Sequence, residues 1–102
     1  MTHQEINQAI AEACGWTDVQ VGTLTRELIG KSPTDGDYWP IASYVSDLNA
    51  MWEAENTLNE DQLWQMAREI EKNWEDQWYF RATARQRAEA FLKVIGKWEE
   101  GE

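Results

Sequence analysis

The chain is short of the residues that most often carry chemistry. Its 102 residues include one cysteine, Cys14, and one histidine, His3. A single cysteine excludes an intramolecular disulfide and fits a reducing compartment. Structural zinc takes three or four Cys or His ligands, and one of each, far apart, does not supply them. Asp35-Gly36-Asp37 is too short for a calcium loop, whose oxygen ligands spread over about twelve positions. No metal and no cofactor is therefore expected. The sequence also lacks a Gly-rich phosphate loop and any run near the ~18 apolar residues of a membrane span. The opening Met-Thr-His-Gln-Glu has neither the basic nor the apolar region of a secretory leader. The expected location is the cytoplasm, away from membranes.

Catalytic groupings are equally scarce. A nucleophile needs an adjacent base. His3 falls in a first helical turn and reads as solvated. Cys14 falls at a helix C-terminus, whose negative dipole end raises a thiol pKa and works against reactivity. Glu53 and Glu55 are two apart, a spacing that turns helical side chains to different faces. The chain reads as a non-enzyme.

Acid outnumbers base. Nineteen Asp and Glu stand against nine Lys and Arg, for a formal charge of −10. The base is concentrated: Arg81, Arg85, Arg87, Lys93 and Lys97 lie between Phe80 and Trp98, where Glu89 is the lone acid, so that stretch carries +4 against −11 for residues 1–80. This balance disfavours direct nucleic-acid binding, which depends on neutralising phosphates. It suits a basic protein partner reached by electrostatic steering, and it equally suits solubility alone. Seven tryptophans are also present. They read either as a Trp-rich core or, for two or three of them, as anchors on a contact surface.

Periodicity predicts an α+β domain, one unit over residues 1–102, mostly helical with a short sheet. Thr2 and Glu5 form a capping box ahead of Ile6, Ala9, Ile10 and Ala13 on one helical face, and Gly15 stops a helix over about 3–13. Alternating Val19, Val21 and Thr23 predict a short strand within 16–26. Gly30 to Asp37 reads as a turn-rich loop, and Tyr38-Trp39-Pro40 as extended. A helix resumes near Ser46 or Asp47, with Leu48, Met51, Trp52 and Glu55 at helical spacing. Asn59 caps another, striped by Leu63, Met66, Ala67, Ile70 and Trp74. Trp78-Tyr79-Phe80 suits a strand or extended link. Thr83 with Gln86 makes a second capping box, and Ala84, Ala88, Phe91, Leu92 and Ile95 form the face of a last helix ended by Gly96.

Two surfaces are candidate sites. Arg81, Arg85 and Arg87 flank a helix N-terminus, which binds anions, directly after Trp78 and Tyr79. Guanidinium and aromatic faces there could stack a base and hold a phosphate. The same arginines could instead pair with the acidic helix around 60–76. That helix is the other candidate: Glu60, Asp61, Glu69, Glu71, Glu75 and Asp76 form an acidic track able to meet a basic protein, or simply to be solvated.

Three boxes carry a resemblance. They are Ile6-Asn7-Gln8-Ala9-Ile10-Ala11-Glu12-Ala13-Cys14-Gly15-Trp16, Asp47-Leu48-Asn49-Ala50-Met51-Trp52-Glu53-Ala54-Glu55, and the stretch from Ala82-Thr83-Ala84-Arg85-Gln86-Arg87-Ala88-Glu89-Ala90-Phe91-Leu92 to Trp98. Together and in this order they resemble the small phage proteins grouped as the phage ABA sandwich domain. The likeness spans the chain except residues 17–40. The family box often has His where Trp52 stands, so no ligand or base carries over to that position. The resemblance implies a phage or prophage origin, the cytoplasm of an infected bacterium, and a layered α/β/α sandwich, with no particular reaction. The expected function is a counter-defence protein that blocks a host immune protein through an acidic, Trp-bearing surface. The alternatives are a sponge for a nucleotide immune signal at segment 78–87, and an assembly or replication accessory. Homo-oligomerisation is left open.

Overall fold

In the computed structural model, residues 1–23, 26–73 and 82–99 are described. Among them the elements run α1 (His3–Ala13), β1 (Thr17–Val21), β2 (Leu28–Lys31), β3 (Tyr38–Pro40), α2 (Leu48–Glu55), α3 (Glu60–Asn73) and α4 (Ala84–Val94). The class is α+β, mostly helical, as the periodicity predicts. Trp78-Tyr79-Phe80 and Trp74 lie outside the described residues.

Local chemistry sets the helix boundaries. Both capping boxes form: Thr2 Oγ1 accepts from Glu5 N while Glu5 accepts from Thr2 N, and Thr83 and Gln86 repeat the exchange. Asp47 caps α2, accepting from the Asn49 and Ala50 amides. Asn59 and Gln62 trade amide hydrogen bonds at the start of α3. Each pair satisfies donors that a helix start leaves open. Gly15 and Gly96 take positive φ, +101° and +76°, just past α1 and α4, the left-handed turn that glycine adopts without steric cost.

The sheet corrects the reading of residues 30–37 as loop throughout. Gly30 and Lys31 belong to β2, the central strand of an antiparallel sheet ordered β1-β2-β3. The ladder pairs Val21 with Leu28 and Gln20 with Ile29 on one side, and Gly30 with Trp39 and Lys31 with Tyr38 on the other. Glycine stands in this strand because of a close approach: an added Cβ at Gly30 would lie 3.1 Å from Val19 Cγ2 and 3.3 Å from Ile41 Cδ1. A bulge between Thr17 and Gln20 places Asp18 at φ +49°. There Asp18 accepts the Tyr38 hydroxyl, and the Lys31 ammonium lies 5.6 Å from the Tyr38 ring centroid. These polar ties sit on the exposed side of the sheet.

The core is mostly aliphatic. Ile6 and Ile10 of α1, Met51 and Ala54 of α2, Met66 and Ile70 of α3, and Ala88, Phe91 and Leu92 of α4 are buried together. The central helix is α4, which packs against α1, α2 and, most extensively, α3, while α1 also meets β1. Its predicted face is buried at Ala84, Ala88, Phe91 and Leu92, with Ile95 half-buried. Among the described residues the core is not Trp-rich. Of the described tryptophans, Trp39, Trp52 and Trp64 are exposed, and Trp16 and Trp98 are half-buried against the core edge.

Candidate functional site

The α2 stripe divides in two. Met51 and Glu55 turn inward with Ala50 and Ala54, whereas Leu48 and Trp52 turn outward, 53% and 69% exposed. Leu48, Trp52, Glu55 and Asn56 recur at four-, three- and one-residue steps along one helical flank. They form one wall of a cleft of about 460 Å³. Leu63 of α3 and Ala82 and Arg87 from the start of α4 line it as well.

A charge pair lies within the cleft lining. Arg87 Nε donates to Glu55 Oε2 at 2.9 Å and Arg87 Nη2 to Glu55 Oε1 at 2.6 Å. Glu55 is 5% exposed. Two parallel charge-assisted bonds are the geometry that makes a desolvated pair tolerable. The two charges offset one another, and Leu48, Trp52, Leu63 and Ala82 give the cleft apolar walls.

The remaining basic residues are distributed differently from the sequence expectation. Arg85 pairs with Glu89 at 3.6 Å and its guanidinium carbon lies 5.3 Å from the Trp98 ring centroid. The aromatic it stacks on therefore follows it in sequence. Lys93 bridges Glu89 at 3.3 Å and Glu69 of α3 at 3.6 Å. Among the described residues Lys93 links α4 to the acidic helix and Arg87 reaches α2. Trp78, Tyr79 and Arg81 lie outside the described residues.

The acidic candidates also separate. Glu60 and Asp61 are exposed in the first turn of α3, where the helix dipole favours them. Glu71 is exposed, and Glu69 is half-buried and turned toward Lys93. Glu75 and Asp76 lie outside the described residues. Trp64, 64% exposed, shares α3 with Glu60 and Asp61.

The residues singled out against catalysis sit as follows. His3 is exposed in the first turn of α1. Cys14 is half-buried at the C-cap of α1, and burial raises its thiol pKa, partly offset by a hydrogen bond with the Thr57 side chain. Among the described residues no three His, Cys, Asp or Glu side chains gather as a metal site. No helix among them is long and apolar enough to cross a membrane.

The sequence reading missed the Glu55–Arg87 pair and the outward turn of Leu48 and Trp52. A signal for the first was present: Glu55 occupies a helical stripe that is otherwise apolar. No protein-family model, no curated protein and no solved structure significantly matches the chain.

Proposed function

We propose that the chain is a binding protein that works without catalysis, covering a basic site on a protein partner with an acidic, tryptophan-bearing surface. The observation that carries this reading is the exposure of Trp52 and Trp64, 69% and 64%, on two helices whose exposed charges include Glu53, Glu60 and Asp61. Large exposed aromatics act as interface anchors, and a −10 chain steers toward a cationic partner. The resemblance to small phage proteins points the partner to a host defence protein in the cytoplasm of an infected bacterium. Nucleotide capture is the weaker reading because Arg87 is already matched by Glu55 and Arg85 by Glu89. At Arg87 a phosphate would have to displace a carboxylate held by two hydrogen bonds.

The test has two arms. In pull-downs from host lysate, the immobilised protein is expected to retain basic proteins at low salt. Retention should fall in high salt and in the Trp64→Ala and Glu60→Lys/Asp61→Lys variants. In the second arm, thermal melts across a panel of cyclic and linear nucleotides are expected to show no stabilisation. A ligand at ~100 times its Kd would add about 2.7 kcal/mol. A clear nucleotide shift abolished by Arg85→Ala would replace the protein-binding reading with nucleotide capture.

A further inference from the structure

We infer that the Asp35-Gly36 step in the turn between β2 and β3 is a latent site of covalent self-modification, isomerisation to isoaspartate, and that hydrogen bonds from Trp39 and to Ser32 hold it closed while the chain is folded.

The chemistry belongs to the two residues themselves. Asp35-Gly36 is the one place in the sequence where Asp or Asn precedes Gly. The Gly36 amide nitrogen can attack Asp35 Cγ. A C–N bond forms, a carboxyl oxygen leaves as water with the amide proton and the carboxyl proton, and a five-membered succinimide ring results. Glycine suits this closure because no Cβ crowds the nitrogen. Water then opens the ring at either carbonyl. One opening restores aspartate. The other leaves the backbone running through the side-chain carbon, as isoaspartate. One water is released and one is consumed, so the mass is unchanged and no other reactant is needed. Asp35 and Gly36 are both exposed, so solvent reaches the ring.

The fold withholds each participant. The Gly36 N–H donates to Ser32 O at 3.0 Å, so the proton that must leave the attacking nitrogen is held. Asp35 Oδ1 accepts from the Asp37 amide at 2.9 Å, an Asx turn. The Trp39 indole N–H is shared between Asp35 Oδ2 at 3.1 Å and Oδ1 at 3.3 Å. Both carboxylate oxygens are engaged, and one must be released before it can leave as water. Gly36 sits at φ +78°, which glycine adopts without steric cost. The turn that calls for glycine thus creates the labile pair, and Trp39 guards it. Trp39 is 52% exposed, yet its polar edge is committed to Asp35.

Isoaspartate would add one backbone carbon to this turn. The turn is closed by the Ser32 amide on Asp37 O at 2.9 Å and leads straight into the Lys31–Tyr38 and Gly30–Trp39 pairs. An extra carbon there works against the register that holds β3 in the sheet.

The test follows isoaspartate at residue 35 by peptide mapping with separation of the equal-mass isomers. The full chain is incubated at neutral pH, folded and in concentrated urea, beside folded Trp39→Phe checked by circular dichroism. Asp35→Glu, whose side chain would have to close a larger ring, should abolish the signal. In urea isoaspartate should accumulate at least about tenfold faster than in the folded chain, since no local opening is needed there. Trp39→Phe should speed the folded reaction roughly fivefold, the weight of one hydrogen bond, and amide exchange at Gly36 should rise with it. Equal rates in the folded chain and in urea overturn the protection, a comparison that depends on no variant folding. A folded Trp39→Phe that reacts at the wild-type rate overturns the role of Trp39. Absence of isoaspartate at residue 35 in urea overturns the site itself.

Discussion

Arg87 and Glu55, thirty-two residues apart in sequence, are joined by two hydrogen bonds of 2.9 and 2.6 Å that tie the first turn of α4 to the last turn of α2. Their side chains are 14% and 6% exposed. Breaking one side removes two charge-assisted bonds from a largely desolvated pair. Glu55→Ala is expected to cost about 3–5 kcal/mol in urea denaturation, and Arg87→Met a similar amount. The double change Glu55→Leu/Arg87→Met should recover part of that loss, because the desolvation cost of both charges goes with them. A double variant as unstable as either single one would show that the pair does not act as a unit.

Phe91 lies at the centre of the α4 face and is wholly buried among Ile6, Met51 and Met66 of the same core. Phe91→Ala should lower unfolding free energy by roughly 3–5 kcal/mol. A loss below about 1 kcal/mol would mean that neighbouring side chains close the cavity.

Burial pushes the Tyr44 hydroxyl up to about 12, with the Cys14 and Glu53 charges acting in the same direction. The folded state therefore holds this proton more tightly than the unfolded chain does. The associated stability is fully present below the ordinary tyrosine value of about 10 and drains away as pH rises from there toward 12. Thermal melts across that window should show a falling melting temperature, and Tyr44→Phe should flatten the fall. An unchanged slope in Tyr44→Phe would assign the alkaline limb to other groups.

Arg26 holds φ at +60°, a left-handed conformation, in the connection between β1 and β2. A side chain there costs roughly 1–2 kcal/mol, which glycine avoids. Arg26→Gly is expected to raise stability by about 0.5–1 kcal/mol, since glycine's extra unfolded-state entropy takes back part of the relief. Destabilisation would mean that the guanidinium makes a contact worth more than the backbone cost.

His3 and Cys14 are expected to be dispensable for binding. His3 is exposed in the first turn of α1, and burial raises the Cys14 thiol pKa, away from the reactive thiolate. His3→Ala and Cys14→Ser, assayed in the lysate pull-down, should leave retention of basic proteins within about twofold of wild type, well inside 1 kcal/mol. Loss of binding by either in a folded protein would reopen a chemical role.

Helix ends were legible because they depend on residues three apart. Thr2 with Glu5 and Thr83 with Gln86 close their boxes locally, whatever the rest of the chain does. The buried faces of α1 and α4 follow largely from the 3.6 period for the same reason, as Ile6, Ile10, Ala88 and Phe91 show, but on α1 the predicted Ala13 is exposed and Ala11 is buried in its place. Strand β2 was not legible, because Gly30 signals a turn in isolation. Only its contact distance to Val19 and Ile41 explains a glycine in a central strand. The acidic surface could be read as charge, but not which carboxylates stay free of α4. Glu69 and Glu71 look alike in sequence, and Lys93 makes them different.

The amino-acid sequence by itself determined the helix boundaries, most of the faces α1 and α4 bury and the overall sign of the charge, since each depends on neighbours within a turn or on a sum over residues. The tertiary structure alone decided that Trp52 and Leu48 stay outside, that Glu55 goes in, and that Arg87 meets it. On α2, Met51 and Trp52 are adjacent and both apolar, and periodicity ranks them equally. The approach of α4 covers one side of that helix and leaves the other to line a cleft.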